Sequence, residues 1–405
     1  MPRFEPFFGL RYDPSAAPLA EVIAPPYDVV DDSERARLAA RSPYNSILVE
    51  LPVADEAAGL DRYANAAALL GAWQRSGVLR RDDVASFYVY KMSFATEDGT
   101  PRSTTGVIGA LAIDAAGGKE VLPHEQTMPK PKGDRLDLLR ACAANLSPIW
   151  GLSLAPGLTD ACLAAVGDAP APMSATDDDQ ILHECWPVDH PVALGRISEL
   201  VATTPVVIAD GHHRYETATF YRNERRATNA ERPGPYDAVM AYVVELTEHE
   251  LTVQAIHRLV SGLPEDVDVL EHFAAHFAIE PGPGDELALH KAMGTANALG
   301  FVSGEGNHLL VPNEELLARA EADLDSSRLD VALSELPAHE VVYQHGVRNA
   351  VQAVREGRAQ FAVLLRPATV AQIADTAHSG RRMPPKTTFF HPKPRTGIVY
   401  RSVAG

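Results

Sequence analysis

The stretch PVVIADGHHRYETATFYRNERRA, residues 205–227, constrains this chain more than any other. Its first part is a short apolar run of the kind that forms a buried strand. Gly211 then permits a sharp turn, and RYETATFYRNERRA is expected to be a helix. A glycine at such a junction lets a ligand approach the backbone, and a new helix presents N–H groups and the positive end of its dipole. His212, His213 and Arg214 add side-chain donors, the arginine in a fork that matches phosphate oxygens in pairs. Asp210, at the end of the strand, can take a proton from a hydroxyl or hold Mg2+ beside phosphates. These residue types together point to phosphoryl transfer.

Two other readings stay open. In the plainer one, an Asp-Gly turn precedes a helix, the histidines satisfy local hydrogen bonds and Arg214 pairs with Glu216. In the sharper one, His212 and Glu216, four apart, join His124 and Glu125 around zinc in a metal-dependent hydrolase. HEQTM lacks the second histidine of the usual His-Glu-x-x-His pattern, which counts against zinc.

Size and charge narrow the field. A chain of 405 residues exceeds one ordinary core and is expected to hold more than one domain. A formal charge of −18, with no basic run to offset it, repels phosphate backbones and anionic lipid, so nucleic acid is an unlikely partner. Cys142, Cys162 and Cys185 are too few and too scattered for a disulfide framework, which fits a reducing compartment. With no apolar run of membrane length and no leader-like segment, the expectation is a soluble cytoplasmic protein, its oligomeric state open.

Along the chain, NSILVELP reads as a buried strand, and LDRYANAAALLGAWQRSGVL as a helix closed near Ser76 and Gly77. SFYVYKMSF and TTGVIGALAI read as a hairpin. A loop bearing Lys130 and Lys132 leads into a helix with Asp134 as its expected N-cap. ILHECWPVDHP, DAVMAYVVELT and LTVQAIHRLV are expected strands. After about Asp266, helices such as DVLEHFAAHF alternate with strands such as HLLVP and FAVLLRP. No internal repeat is present. The fold class is α/β with mixed α and β elements, and three parts are expected: 1–150, 151–265 and 266–405. The proline-framed loop MPPKTTFF nominates Lys386 and Thr387 as ligand-binding residues, because it has the look of a pinned segment rather than a loose tail.

FFGLRYDP, APPYDVV, LPHEQTMPKPKGDRLDLL, ANLSPIW, ADGHHRYETA, HRLV and MPPKTTFFHPK follow one another in an order that resembles a bacterial and archaeal family, domain of unknown function 1015. Locally, the Asp-Gly-His-His-Arg segment is similar to the phosphate-binding motif of the ParB/sulfiredoxin superfamily. The resemblance implies a ParB/sulfiredoxin-like nucleotide-binding module with N- and C-terminal elaborations. Free-serine kinases of that superfamily phosphorylate L-serine to O-phosphoserine, which implies ATP or ADP and Mg2+ as cofactors and a small-molecule substrate. On that likeness Asp210 is the acid beside the reacting hydroxyl and a metal ligand, Gly211 and His212 are the phosphate turn, and Arg214 neutralises charge. His213 falls at the variable position. The upstream base is Glu125 or Asp28, although Asp28 can equally cap the helix expected over DDSERARLAARS. Tyr27, His124 and Thr127 are candidate substrate contacts. Lys130, Lys132 and Arg135 are either phosphate contacts or ordinary surface charges. A nucleotide sensor without catalysis, or a ParB-like regulatory protein, are the remaining alternatives.

Overall fold

The computed structural model describes residues 1–96, 99–115, 117–123, 132–229, 232–379 and 382–404, with only the backbone of Lys132, Ala377 and His378. These residues divide into two compact units: residues 1–123, 132–251 and 392–404 in the first, and Thr252–His391 in the second. The class is mixed α and β, as the patterning implies. No helix among the described residues is long and apolar enough to cross a membrane.

The first unit is built on a nine-stranded sheet. In order, its strands are Val121–Pro123, Val206–Asp210, Ile149–Ser153, Ala238–Glu245, Pro101–Ala112, Phe87–Ala95, Leu182–Val188 and Met173–Thr176, with Phe4–Glu5 also on Pro101–Ala112. The hairpin expected from sequence forms, from Tyr88 opposite Ile108 to Ala95 opposite Pro101. Ala238–Glu245 lies between a parallel and an antiparallel neighbour and is covered on both faces, which is why its sequence, AVMAYVVE, runs apolar without alternating. Val206–Asp210 pairs antiparallel with Ile149–Ser153, and the register shifts between Ile208 and Asp210. Such an irregularity re-aims the last side chain of a strand.

A smaller sheet in the same unit joins Leu79–Arg81, Gly9–Tyr12, Tyr400–Ser402 and Ala144–Asn145, drawing the chain's last segment onto one of its first. Tyr12 and Tyr400 share a buried hydroxyl contact of 2.9 Å. Upstream, Thr396 and Ala24 exchange backbone hydrogen bonds of 2.9 and 3.1 Å. The tail is thereby clipped to the N-terminal region at two places, which fixes residues 392–395.

Three local expectations need correction. NSILVELP holds a helical turn, Ile47–Glu50, rather than a strand: Asn45 Oδ1 accepts from Ile47 N at 3.0 Å and closes the turn. The helix following Asp28 is capped by Asp31, whose carboxylate accepts from Glu34 N, while Asp28 sits in the short helical turn Tyr27–Val29. Asp134 is not a cap but lies within Lys132–Cys142. There it accepts from Tyr63 Oη at 2.9 Å and pairs with Arg62 and Arg135.

The second unit has a seven-stranded sheet ordered Phe277–Pro281, Gly306–Pro312, Leu299–Ser303, Phe361–Leu364, Thr252–Ser261 and Glu340–His345, with Thr388–His391 also on Thr252–Ser261. The helix Val347–Arg355 packs on it through Val347, Ala350, Val351 and Val354, leaving Arg348, Gln352 and Arg355 outside.

Candidate functional site

Val206–Asp210 delivers Asp210 to the edge of a turn made by Gly211, whose φ of 88° and ψ of 26° are left-handed, and the helix His212–Thr228 starts at once. Glycine meets two requirements here. It adopts that φ without strain, and a Cβ at 211 would lie 3.0 Å from Arg214 Nε and 3.1 Å from Ile149 Cα. The arginine folds back over the turn because nothing stands in its way. The helix has no acidic residue in its first turn, and its Gly211 cap has no side chain to accept from it.

Arg214 Nη2 donates to Asp210 Oδ2 at 2.6 Å, and Nη1 donates to Ser147 Oγ at 3.2 Å and to Pro148 O. Its pairing with Asp210 replaces the pairing with Glu216 that sequence allowed. Its Nε is buried with no hydrogen-bond partner. A guanidinium donor left unmet beside a glycine turn at a helix start suits an incoming oxyanion.

On its other side, Asp210 Oδ1 accepts from Lys393 Nζ at 2.9 Å, and the same ammonium donates to Asp28 Oδ2. One lysine thus bridges carboxylates from opposite parts of the chain. Its side chain is 9% exposed, against 24% for Asp210 and 34% for Asp28. Burial works to raise the Asp210 carboxyl, but Lys393 and Arg214 outweigh it and hold the group well below the usual carboxylate range. Burial likewise works against the Lys393 ammonium, yet the two carboxylates keep it above its ordinary value. Asp210 is therefore held as an anion by its two cationic partners, and Asp28 is the more exposed of the two carboxylates.

Lys393 is held by its own segment. Two residues on, the buried Arg395 donates to Asp177 through Nε at 2.7 Å and to Asp179 at 2.6 Å. Asp177 also contacts His183 Nε2 at 2.8 Å, and His183 Nδ1 meets Tyr90 Oη at 2.8 Å. Asp179 is open to solvent, but the Asp177, His183 and Tyr90 part of this chain of contacts is buried, with His183 fully so.

Tyr27, beside Asp28, lies under the Arg135 guanidinium, 4.4 Å from ring centroid to Cζ. Burial pushes its phenol above the ordinary value. Arg135 also donates to Glu50 O at 2.8 Å and to Asp134, so its donors serve to place Tyr27. Next to Arg214 is a cavity of about 60 Å3 lined by Glu50, Asn145, Ser147 and Thr217. It has room for water but not for a nucleotide.

The structure therefore brings together Tyr27, Asp28, Asp210, Gly211 and Arg214, with His212 and His213 on the first helical turn. His124, Glu125, Thr127 and Lys130 lie outside the described residues. Lys386 and Thr387 belong to the second unit, where Thr387 Oγ1 donates to Pro384 O at 2.8 Å. Sequence reasoning missed Lys393, the second lysine of MPPKTTFFHPK, and Ser147. The available signal was the lysine of HPKP, with a proline on each side, whereas Lys386 has prolines only before it.

Among the described residues, no group of three or more His, Cys, Asp or Glu side chains is arranged to hold a metal. The two carboxylates that do converge already share an ammonium. Asp210 Oδ1, which the sequence offers to Mg2+, accepts from Lys393 here, and His124 and Glu125, which would complete a zinc shell with His212 and Glu216, lie outside the described residues.

A family model described as a protein of unknown function, DUF1015, matches residues 4–332. No curated protein matches the chain. Among solved structures, a free serine kinase variant in complex with AMP has 14% sequence identity and a TM-score of 0.39, over 67% of this chain and 83% of that one. A conserved hypothetical protein from Pyrococcus furiosus has 15% identity and a TM-score of 0.36, over 67% and 87%. SbnI with a C-terminal truncation, from Staphylococcus aureus, has 11% identity and a TM-score of 0.39, over 71% and 85%.

Proposed function

This chain belongs to the DUF1015 family, and we propose that its Gly211 turn binds the phosphates of ATP or ADP and that the surrounding residues transfer a phosphoryl group to the hydroxyl of a small acceptor, with L-serine the leading candidate. The observation that carries the reading is the Lys393 bridge between Asp28 and Asp210 at the mouth of a helix with no acidic residue in its first turn, beside the unmet Nε of Arg214.

Each residue then has a task. The helix start and Arg214 hold phosphate oxygens, with His212 and His213 as further donors. Lys393 offsets negative charge as the phosphorus–oxygen bond to the leaving nucleotide breaks and the bond to the acceptor oxygen forms. The acceptor's proton passes to Asp28. Asp210 stays ionised and fixes Lys393 and Arg214 in place, so its role is positioning. Tyr27 borders the acceptor.

The test is incubation of the full chain with ATP or ADP, Mg2+ and L-serine, with mass-spectrometric detection of O-phosphoserine. Product is expected with one of the two donors and is lost in Asp28→Asn. Nucleotide binding without product, from serine or from other hydroxyl compounds, would replace this reading with that of a nucleotide sensor.

A further inference from the structure

The second unit contains a cavity of about 250 Å3 whose polar lining has no part in the reading above. Its organising residue is Asp325, the first residue of the helix Asp325–Ser334, 6% exposed. Asp325 Oδ1 accepts from Arg328 Nη1 at 3.0 Å and from Arg366 Nη2 at 2.5 Å. Its Oδ2 accepts from Arg366 N and Nε, both at 2.9 Å. One buried carboxylate thus accepts three bonds from two guanidinium groups and a fourth from the Arg366 backbone.

Arg366 is engaged at every nitrogen, its Nη1 donating to Asn297 Oδ1, but Arg328 is not. Arg328 is 5% exposed, and its Nε is buried with no hydrogen-bond partner. Its Nη2 donates outward to Asp323, whose side chain is 79% exposed. An unmet guanidinium donor beside a cavity of about 250 Å3 leaves both a hydrogen bond and room for a small ligand. Ser326 Oγ and Thr387 Oγ1 lie 2.9 Å apart on the wall; with the Thr387 hydrogen on Pro384 O, Ser326 donates to Thr387 and the pair offers the cavity acceptors.

Charge balance selects the ligand. Arg328 and Arg366 carry two positive charges, and Asp323 and Asp325 two negative ones. The positive end of the helix is already met by Asp325. A dianion such as phosphate would face two carboxylates with no surplus cation. A molecule with a carboxylate for the Arg328 and Arg366 side and an ammonium for exposed Asp323 meets both signs at no net cost. We infer that this cavity binds a free zwitterionic α-amino acid, its carboxylate on the two arginines and its ammonium on Asp323.

The site stands independently of the proposal for the Gly211 turn, and the test separates the two. Each common L-α-amino acid, and inorganic phosphate, is titrated calorimetrically into the full chain without nucleotide. At least one amino acid is expected to bind, and its methyl ester and N-acetyl derivative are expected to lose at least tenfold in affinity. Asp323→Asn, at an exposed position where folding is not at stake, is expected to weaken binding about tenfold, and Arg366→Gln to abolish it. Asp210→Asn is expected to leave it unchanged. Binding of none of the amino acids, binding of phosphate alone, binding indifferent to Asp323→Asn, or binding lost in Asp210→Asn would each overturn the assignment.

Discussion

The two units carry the same inventory of charge wired in opposite senses. In the first, one ammonium, Lys393, is shared by two carboxylates, Asp28 and Asp210, with Arg214 behind them. In the second, one carboxylate, Asp325, is shared by two guanidinium groups, with Asp323 outside. Side-chain charge sums to zero in both clusters, so charge alone does not distinguish their ligands. The backbone does. Gly211 opens a helix whose first turn holds no acidic residue, leaving a positive end for an oxyanion, whereas Asp325 occupies that place on its own helix. On the two proposals above, the residue starting the helix decides whether such a cluster accepts a phosphate or a neutral, bipolar molecule.

The strongest way to break the comparison is to remove the shared partner. Asp325→Asn leaves two guanidinium groups competing for one neutral acceptor in a buried setting and is expected to cost about 3–5 kcal/mol in denaturant unfolding. Lys393→Met leaves two carboxylates side by side, but both reach solvent in part, so about 2 kcal/mol is expected. Adding Asp210→Asn to Lys393→Met should recover part of that loss, as coupled neighbours do. Equal costs for Asp325→Asn and Lys393→Met, or strict additivity of the pair, would count against this wiring.

Next in size is Gly211→Ala. A left-handed residue other than glycine costs about 1 kcal/mol, and the new Cβ presses on Arg214. A lower unfolding midpoint with weaker nucleotide binding is expected; unchanged affinity would free the turn from its assigned role.

Acid separates the units further. Asp210 is held below the usual carboxylate range, so its contribution is present above that range and is lost only as pH falls through the depressed folded value. The Lys393 bridge should therefore persist under mild acid. In the second unit, burial first, then the neighbouring charges, lowers His257 to about 3. Its contribution is complete above about pH 6.5, the ordinary histidine value, and declines from there toward about pH 3. Hydrogen exchange is expected to report weakened protection of Thr252–Ser261 at pH 5 relative to pH 7, and less of this loss in His257→Asn. The smallest effect is that of Asp323→Asn on stability, within about 0.5 kcal/mol because the group is exposed.

Much of this architecture is legible in the sequence where the signal is local. The strand before Asp210, the Gly211 turn and the following helix are contiguous, and periodicity with one glycine suffices to read them. NSILVELP misleads because a short apolar run fits a strand or a helical turn equally, and the hydrogen bond from Ile47 N to Asn45 Oδ1 decides between them. Asp28 and Asp31 compete for one cap, and only backbone geometry assigns it. Lys393 was beyond local reasoning. It lies 183 positions from Asp210 and 365 from Asp28, and its place depends on the Ala24–Thr396 and Leu10–Tyr400 pairings that clip the tail.

The central claim is that the Gly211 turn, with Arg214 folded over it, is a nucleotide phosphate site. Calorimetric titration of ADP into the full chain tests it most directly. Saturable one-to-one binding is expected, weakened at least tenfold by Arg214→Ala and unaffected by Asp323→Asn. Absence of binding to the unmodified chain, or binding that survives Arg214→Ala at full strength, would contradict it.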